Sequence, residues 1–168
     1  ILSPEDYGVL SLAMIYAIFL SGLSNFGLSV AYERNYFQYH GNLEKQAQLL
    51  FTSLFFIIAN FILLSGTTFV FKNKISMLLT GSPNHGIFIL ITFIAHFFYS
   101  TVNGFFFIYF KNEEKPKPYS QYTIISILLN FIIALILVAY IQVGVVGIVL
   151  GQLTAGVILF ILLLFKLL

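Results

Sequence analysis

Uncharged runs and charged clusters alternate along the whole chain. Asp, Glu, Lys and Arg occur only in short groups, and the stretches between those groups run approximately 7–32, 46–71, 86–110, 119–141 and 145–165. Each stretch holds about 20 or more residues, which at ~1.5 Å rise per residue crosses a hydrocarbon core ~30 Å thick. The runs do not alternate apolar with polar positions, and they are far longer than the ~9–11 residues of a barrel strand. The pattern therefore predicts an all-α, polytopic transmembrane helical bundle of five spans.

The first span is the best marked. Ser3 is a good N-cap, Pro4 suits the first helical turn, and Glu5 and Asp6 lie where the positive end of a helix dipole favours anions. No charge follows from Tyr7 to Tyr32, and Glu33 and Arg34 close the run. The reading is one capped, membrane-long helix. The connections differ in character. Residues 33–45 carry Arg34, His40, Glu44 and Lys45. Residues 72–86 carry Lys72 and Lys74, then an apolar piece from Ile75 to Leu79 that reads as a short turn in the membrane interface, then Ser82 and Pro83 restarting a helix. Residues 111–118 read as a stiff turn with Pro118 near the start of the next helix, and residues 142–144 are uncharged and tight.

Composition turns this pattern into a class. Of the 168 residues 60% are hydrophobic and 8% charged, against ~25% charged in a soluble domain. So much apolar surface cannot be hidden in one core of this size, which makes the chain an integral membrane protein. A net charge of +2 is too small to point to nucleic acid, and the absence of cysteine removes disulfides, thiolate nucleophiles and Cys-based metal sites. Six of the Lys and Arg residues (Arg34, Lys45, Lys111, Lys115, Lys117, Lys166) fall on one side of the predicted topology, and Lys72 and Lys74 on the other. The positive-inside rule puts residues 33–45 and 111–118 in the cytoplasm. With Ile1 at one end and an apolar run closing at Leu168, the chain reads as a piece of a larger membrane protein, a single helical region over 1–168.

Catalytic signatures are missing. The sequence has no glycine-rich phosphate loop, no His-Glu-x-x-His, and no paired carboxylates within a span; the three histidines, His40, His85 and His96, fall in separate regions, so no shared metal site is expected. The expectation is a non-enzyme without a bound cofactor. Instead the spans carry polar stripes at helical spacing: Ser21, Asn25 and Ser29; Ser53, Asn60 and Thr67; Thr92, His96, Ser100 and Asn103; Thr123, Ser126 and Asn130. Such side chains should face other helices or a water-filled cavity. Two readings stand for each, glue between helices or the lining of a polar path, and the asparagines favour the second more than Ser or Thr does, since an amide has four hydrogen-bonding sites to satisfy. His96 is either a proton-responsive or sugar-contacting group or a neutral hydrogen-bonded one. Arg34, the only arginine, is either a headgroup anchor or a bidentate phosphate ligand. Gly144, Gly147, Gly151 and Ala155 make a small-residue face suited to close helix packing.

Three stretches carry a resemblance: Leu2-Ser3-Pro4-Glu5-Asp6-Tyr7-Gly8; Asn25-Phe26-Gly27-Leu28 with Arg34 beyond it; and Leu128-Leu129-Asn130 through Gly144-Val145-Val146-Gly147 to Gly151. Their order resembles the Wzx-type polysaccharide and O-antigen flippases of the multidrug/oligosaccharidyl-lipid/polysaccharide exporter superfamily. The resemblance runs the length of the chain and implies the second to sixth spans of a 12–14-span transporter, the remaining spans lying elsewhere. It implies transfer of undecaprenyl-diphosphate-linked oligosaccharide across the bacterial inner membrane for surface polysaccharide such as lipopolysaccharide. It also implies two bundles that alternate in access, with coupling to a proton or sodium gradient proposed for such proteins. On this sequence it would set Arg34 near the diphosphate and Asn25, Asn60, His96 and Asn103 along the sugar path. The family's cavity is described as cationic, whereas these spans hold no mid-membrane Lys or Arg. Rival readings are another exporter of the superfamily for drugs or a peptidoglycan precursor, a polytopic polysaccharide polymerase or acyltransferase, and a non-transporting helical scaffold.

Overall fold

The computed structural model of the chain describes residues 3–39 and 41–167; Ile1, Leu2 of the opening motif, His40 and Leu168 lie outside the described residues. Helix α1 (Pro4–Asn25) starts as its sequence predicts. The Asp6 amide donates to Ser3 Oγ at 3.1 Å while the Ser3 amide donates to Asp6 Oδ2 at 2.9 Å, a reciprocal box that satisfies donors left open at a helix start.

The first span is not one helix through to Arg34. The chain turns left-handed at Phe26 (φ 51) and Gly27 (φ 77), and a separate helix, α2 (Leu28–Tyr36), follows. Gly27 makes the turn cheap because it has no Cβ to clash. Asn25 makes it stable, for reasons given with the site below. A single 3-10 turn, Phe37–Tyr39, leads toward the second span.

Helix α3 (Leu43–Thr80) corrects the expected second span, which ended at residue 71. It runs 38 residues, about 57 Å at helical rise, far beyond one hydrocarbon core. Ile75 to Leu79 form its last turns, not a separate interfacial piece. Lys72 and Lys74 do not end the helix because Lys is a good helix former and their ammonium groups lie 4.7 Å from the Phe69 ring centroid and 5.8 Å from that of Phe71. Gly81, left-handed at φ 72, ends it. The chain then folds back on α3: the His85 amide donates to Ser76 Oγ at 3.1 Å, and Ser76 Oγ donates to the Ser82 carbonyl at 2.5 Å.

The third span is built from α4 (Gly86–Thr101), a π-helical stretch Val102–Phe107, and α5 (Ile108–Asn112). The fourth is α6 (Pro116–Leu135), which begins at Pro116 and widens into a second π-helical stretch, Ile136–Tyr140. The fifth is α7 (Val145–Leu167). Among the described residues five helices, Pro4–Asn25, Leu43–Thr80, Pro83–Asn112, Pro116–Tyr140 and Val145–Leu167, are long and apolar enough to cross a membrane. The all-α, five-span reading holds.

Helix α4 is the hub, packed against α1, α3 and α7, while α6 rests mainly on α7. Ala13, Ala17 and Ser21 form the buried edge of α1. Aromatic rings fill the centre, with Phe61 stacked on Phe97 at 3.8 Å between centroids and Phe98 edge-on to Phe160 at 5.3 Å. Large apolar side chains such as Phe19, Phe55, Leu63, Phe131 and Phe165 point outward. On a water-soluble protein these would be adhesive patches; on a bilayer-embedded bundle they meet acyl chains.

Gly147 and Gly151 pack as their spacing predicts, whereas Gly144 lies before α7 in a left-handed turn (φ 65) and is not on its face. A Cβ at Gly151 would lie 2.9 Å from the Ala134 Cβ, the Ala134 amide nitrogen and the Asn130 carbonyl oxygen, and one at Gly147 would lie 2.9 Å from Val138 Cγ2. Gly156 approaches α4 instead, with a Cβ there 3.1 Å from the Tyr99 amide nitrogen. Gly151→Val should therefore force α6 off α7 and destabilise the bundle by about 1–3 kcal/mol, read as a lower unfolding midpoint in detergent. Gly22→Ala, at a helical position with no atom within 4 Å of the added Cβ, should hold or raise that midpoint.

Candidate functional site

Asn25 spans the break between α1 and α2. Its Oδ1 accepts from the Ser29 amide at 2.9 Å, and its Nδ2 donates to Ser29 Oγ at 2.8 Å. Both halves of the amide are thus engaged across two left-handed residues. The Oδ1 bond satisfies one of the amides that open the new helix. Opposite Ser29 lies the π-helical stretch of the third span, where a Cβ on Gly104 would sit 3.4 Å from the Ser29 Cβ. The segment just after the break in the first span therefore meets the π-helical stretch of the third. Asn103, beside Gly104, donates to the Tyr99 carbonyl on its own helix at 2.7 Å.

Asn60 and His96 lie elsewhere, where α1, α3 and α4 come together. His96 Nδ1 is 3.1 Å from Ser21 Oγ. Asn60 Nδ2 donates to the Ser24 carbonyl at 3.3 Å, and Ser24 Oγ donates to the Leu20 carbonyl at 2.9 Å. Tyr16 OH and Thr68 Oγ1, 2.8 Å apart, add a further tie between α1 and α3. These polar groups join helices to one another. Thr67, placed by its spacing on the same face as Ser53 and Asn60, is exposed, and Thr68 is the buried neighbour. Seven residues fall ~20° short of two full turns, so a stripe repeated every seven drifts round a straight helix.

Arg34 belongs to a different surface. It lines an open groove of about 440 Å³ along α2, together with Gly27, Val30, Ala31, Asn35 and Gln38. Its side chain is exposed and makes no hydrogen bond or ion pair among the described residues. The neighbouring Asn35, which also lines the groove, donates its Nδ2 to the Ala31 carbonyl at 2.8 Å. A second open groove, about 290 Å³, is lined by Tyr39, Lys45, Gln48, Leu49 and Thr52. Of the five residues singled out by sequence, Arg34 lines the first groove, while Asn25, at the end of α1, and Asn60, His96 and Asn103 line neither.

The other face of α2 is closed. Tyr32 and Tyr36 are buried, Tyr32 with its ring centroid 5.6 Å from Phe105 and Tyr36 with its own 6.2 Å from Tyr109. The Tyr36 hydroxyl donates to Glu113 Oε1, and Lys111 Nζ pairs with Glu33 Oε1 at 2.8 Å. Burial, then the hydrogen bond and charge of Glu113, pushes the Tyr36 hydroxyl above its ordinary range. Lys115 Nζ lies 3.1 Å from Glu113 Oε2, and that hydrogen bond holds its ammonium above the ordinary lysine value. The sequence reading missed these ties. Its only trace of them was that Glu33, Lys111 and Glu113 all close spans on one side. Among the described residues no group of three or more His, Cys, Asp or Glu is placed to hold a metal.

A comparison with known families decides what kind of bundle this is. A family model described as "Polysaccharide biosynthesis protein" matches residues 1–167. The chain belongs to this polysaccharide biosynthesis protein family. Membership gives the bundle its general role, in polysaccharide biosynthesis, exercised from within a membrane. A search of curated proteins and a search of solved structures return no match.

The break in the first span makes its own prediction for this family member. Asn25→Leu removes both bonds to Ser29 and should destabilise the protein by about 1–2 kcal/mol. Ser29→Ala keeps the amide bond to Asn25 Oδ1 and should cost less. Unfolding midpoints of the two purified variants against the parent check the order.

Proposed function

We propose that the chain is part of a flippase that carries lipid-linked oligosaccharide across the bacterial inner membrane, with Arg34 as a ligand for the diphosphate. The observation that carries this reading is the exposed, unpaired guanidinium of Arg34 in an open groove at one end of a span, inside a bundle of the polysaccharide biosynthesis family. A diphosphate cannot enter hydrocarbon unaided, because removing its charges from water costs many kcal/mol. A polar helix face that offers a planar fork of donors provides a substitute for part of its hydration. Sugar hydroxyls can be met by carboxamides, of the kind that Asn35 and Gln38 present beside Arg34. No covalent step is required. A gradient of protons or sodium would supply direction, and the Lys and Arg distribution puts Arg34 on the cytoplasmic side, where such lipid-linked units are assembled.

In cells producing the full-length protein, Arg34→Ala should lower surface polysaccharide by about tenfold or more at unchanged membrane abundance, as loss of a charged, bidentate contact implies. Arg34→Lys should lose less, keeping charge without the fork. Undiminished polysaccharide from Arg34→Ala would remove the residue from the mechanism. A cysteine substituted at Lys117, on the same side as Arg34, should be shielded from a membrane-impermeant thiol reagent in intact cells; ready labelling would reverse the orientation.

A further inference from the structure

Helix α2 is joined to the rest of the bundle in an unusual way. At one end it follows two consecutive left-handed residues, Phe26 and Gly27, with the Asn25 carboxamide bonded across the break to the Ser29 amide and hydroxyl. At its other end two polar ties reach across to residues 77 and 78 positions later in the chain: Tyr36 to Glu113 and Glu33 to Lys111. Lys115 holds the second oxygen of the Glu113 carboxylate at 3.1 Å, so the acceptor is itself fixed. Between the two ends, Tyr32 is only 1% exposed, and among the described residues its hydroxyl has no hydrogen-bond partner. Arg34 lies between Glu33 and Tyr36 in sequence but lines the opposite, open face.

We propose that Glu33, Tyr36, Lys111 and Glu113 are positioning residues for Arg34: they form a latch that holds α2 against the inner end of the third span, and its release lets α2 swing about Phe26–Gly27 and carry Arg34 with it. The inference rests on the flippase reading for its purpose but not for its geometry. A stiff half-helix of about 10 Å from Gly27 to Arg34 moves as a lever, and hinges of this kind are a few residues at element ends that absorb a change in φ and ψ. The closed latch fixes where the guanidinium stands relative to the groove. The polar ties of the α1–α3–α4 junction involve neither α2 nor α5, so they stay in place while the packing of α2 on α3 gives way.

The test reads motion apart from transport. In the full-length protein, in a background free of other cysteines, Tyr32→Cys reports opening through its rate of reaction with a small maleimide in membranes. Ala17→Cys, buried in the α1–α4 contact, reports general loosening. Combining Tyr32→Cys with Lys111→Ala and Glu113→Ala should raise the labelling rate at position 32 at least tenfold while leaving position 17 unchanged. Glu113→Gln, which keeps an acceptor for Tyr36, should leave the rate at position 32 near that of the parent. An unchanged rate at position 32, or an equal rise at both positions, would overturn the latch. Surface polysaccharide is measured in parallel: a faster rate at position 32 with undiminished output from Arg34→Ala would leave the latch standing and defeat the flippase reading.

Discussion

Backbone hydrogen bonding in a medium without water constrains this structure more than any other force. Inside hydrocarbon a released amide or carbonyl has no solvent to turn to, and each one left open costs several kcal/mol. A break in a membrane helix is tolerable only where something else supplies the missing partners. In the first span that something is one asparagine, which takes the Ser29 amide on one side of its carboxamide and the Ser29 hydroxyl on the other. The break, the separate direction of α2 and the presentation of Arg34 all follow from that splint. The π-helical stretch opposite it answers the same constraint differently, widening the helix without releasing the chain, and Gly104 gives Ser29 room to approach.

The same pressure accounts for where most polar side chains go. Ser24, Ser53, Thr92 and Thr154 return their hydroxyls to a carbonyl on their own helix, while Asn60 and His96 reach across to α1. A bundle that spends its mid-span polar groups this way is rigid at its centre. Two open grooves lie along α2 and the start of α3, lined in part by Arg34, Asn35, Gln38, Lys45 and Gln48. Polar binding capacity and helix cohesion thus occupy different parts of the chain, although in sequence they look alike.

That likeness marks the limit of what the sequence could say. Five spans were legible because charge is excluded from hydrocarbon, which leaves gaps whose lengths need no further interpretation. Helix ends were legible where a cap names itself, as at Ser3, and not where charge stood in for a stop. Lys72 and Lys74 suggested an end, yet α3 continues to Gly81 because lysine breaks nothing and the first glycine beyond them comes only there. The break at Phe26 was hidden for the opposite reason: an uncharged run continues straight through it, and Asn25 at spacing four from Ser21 and Ser29 looks like one more position on a polar stripe. The pairing of Glu33 with Lys111 and of Tyr36 with Glu113 depends on which helices are neighbours, which single-helix periodicity does not encode.

The position of Arg34 gains its meaning from this division. A cation fixed in the middle of a rigid bundle would bind an anion at one depth and hold it there. A cation on a half-helix, tied by polar contacts and freed at a splinted break, can hold an anion and still change where that anion stands. Arg34 is the only arginine of the chain, and under the proposed reading a charged headgroup would meet it on α2, outside the five long apolar helices. Transfer would then depend less on a fixed cationic lining than on moving the one arginine available, and the features needed for that motion are those that interrupt the regular helix: Asn25, Phe26 and Gly27 at the hinge, with Tyr36 and Glu113 at the catch.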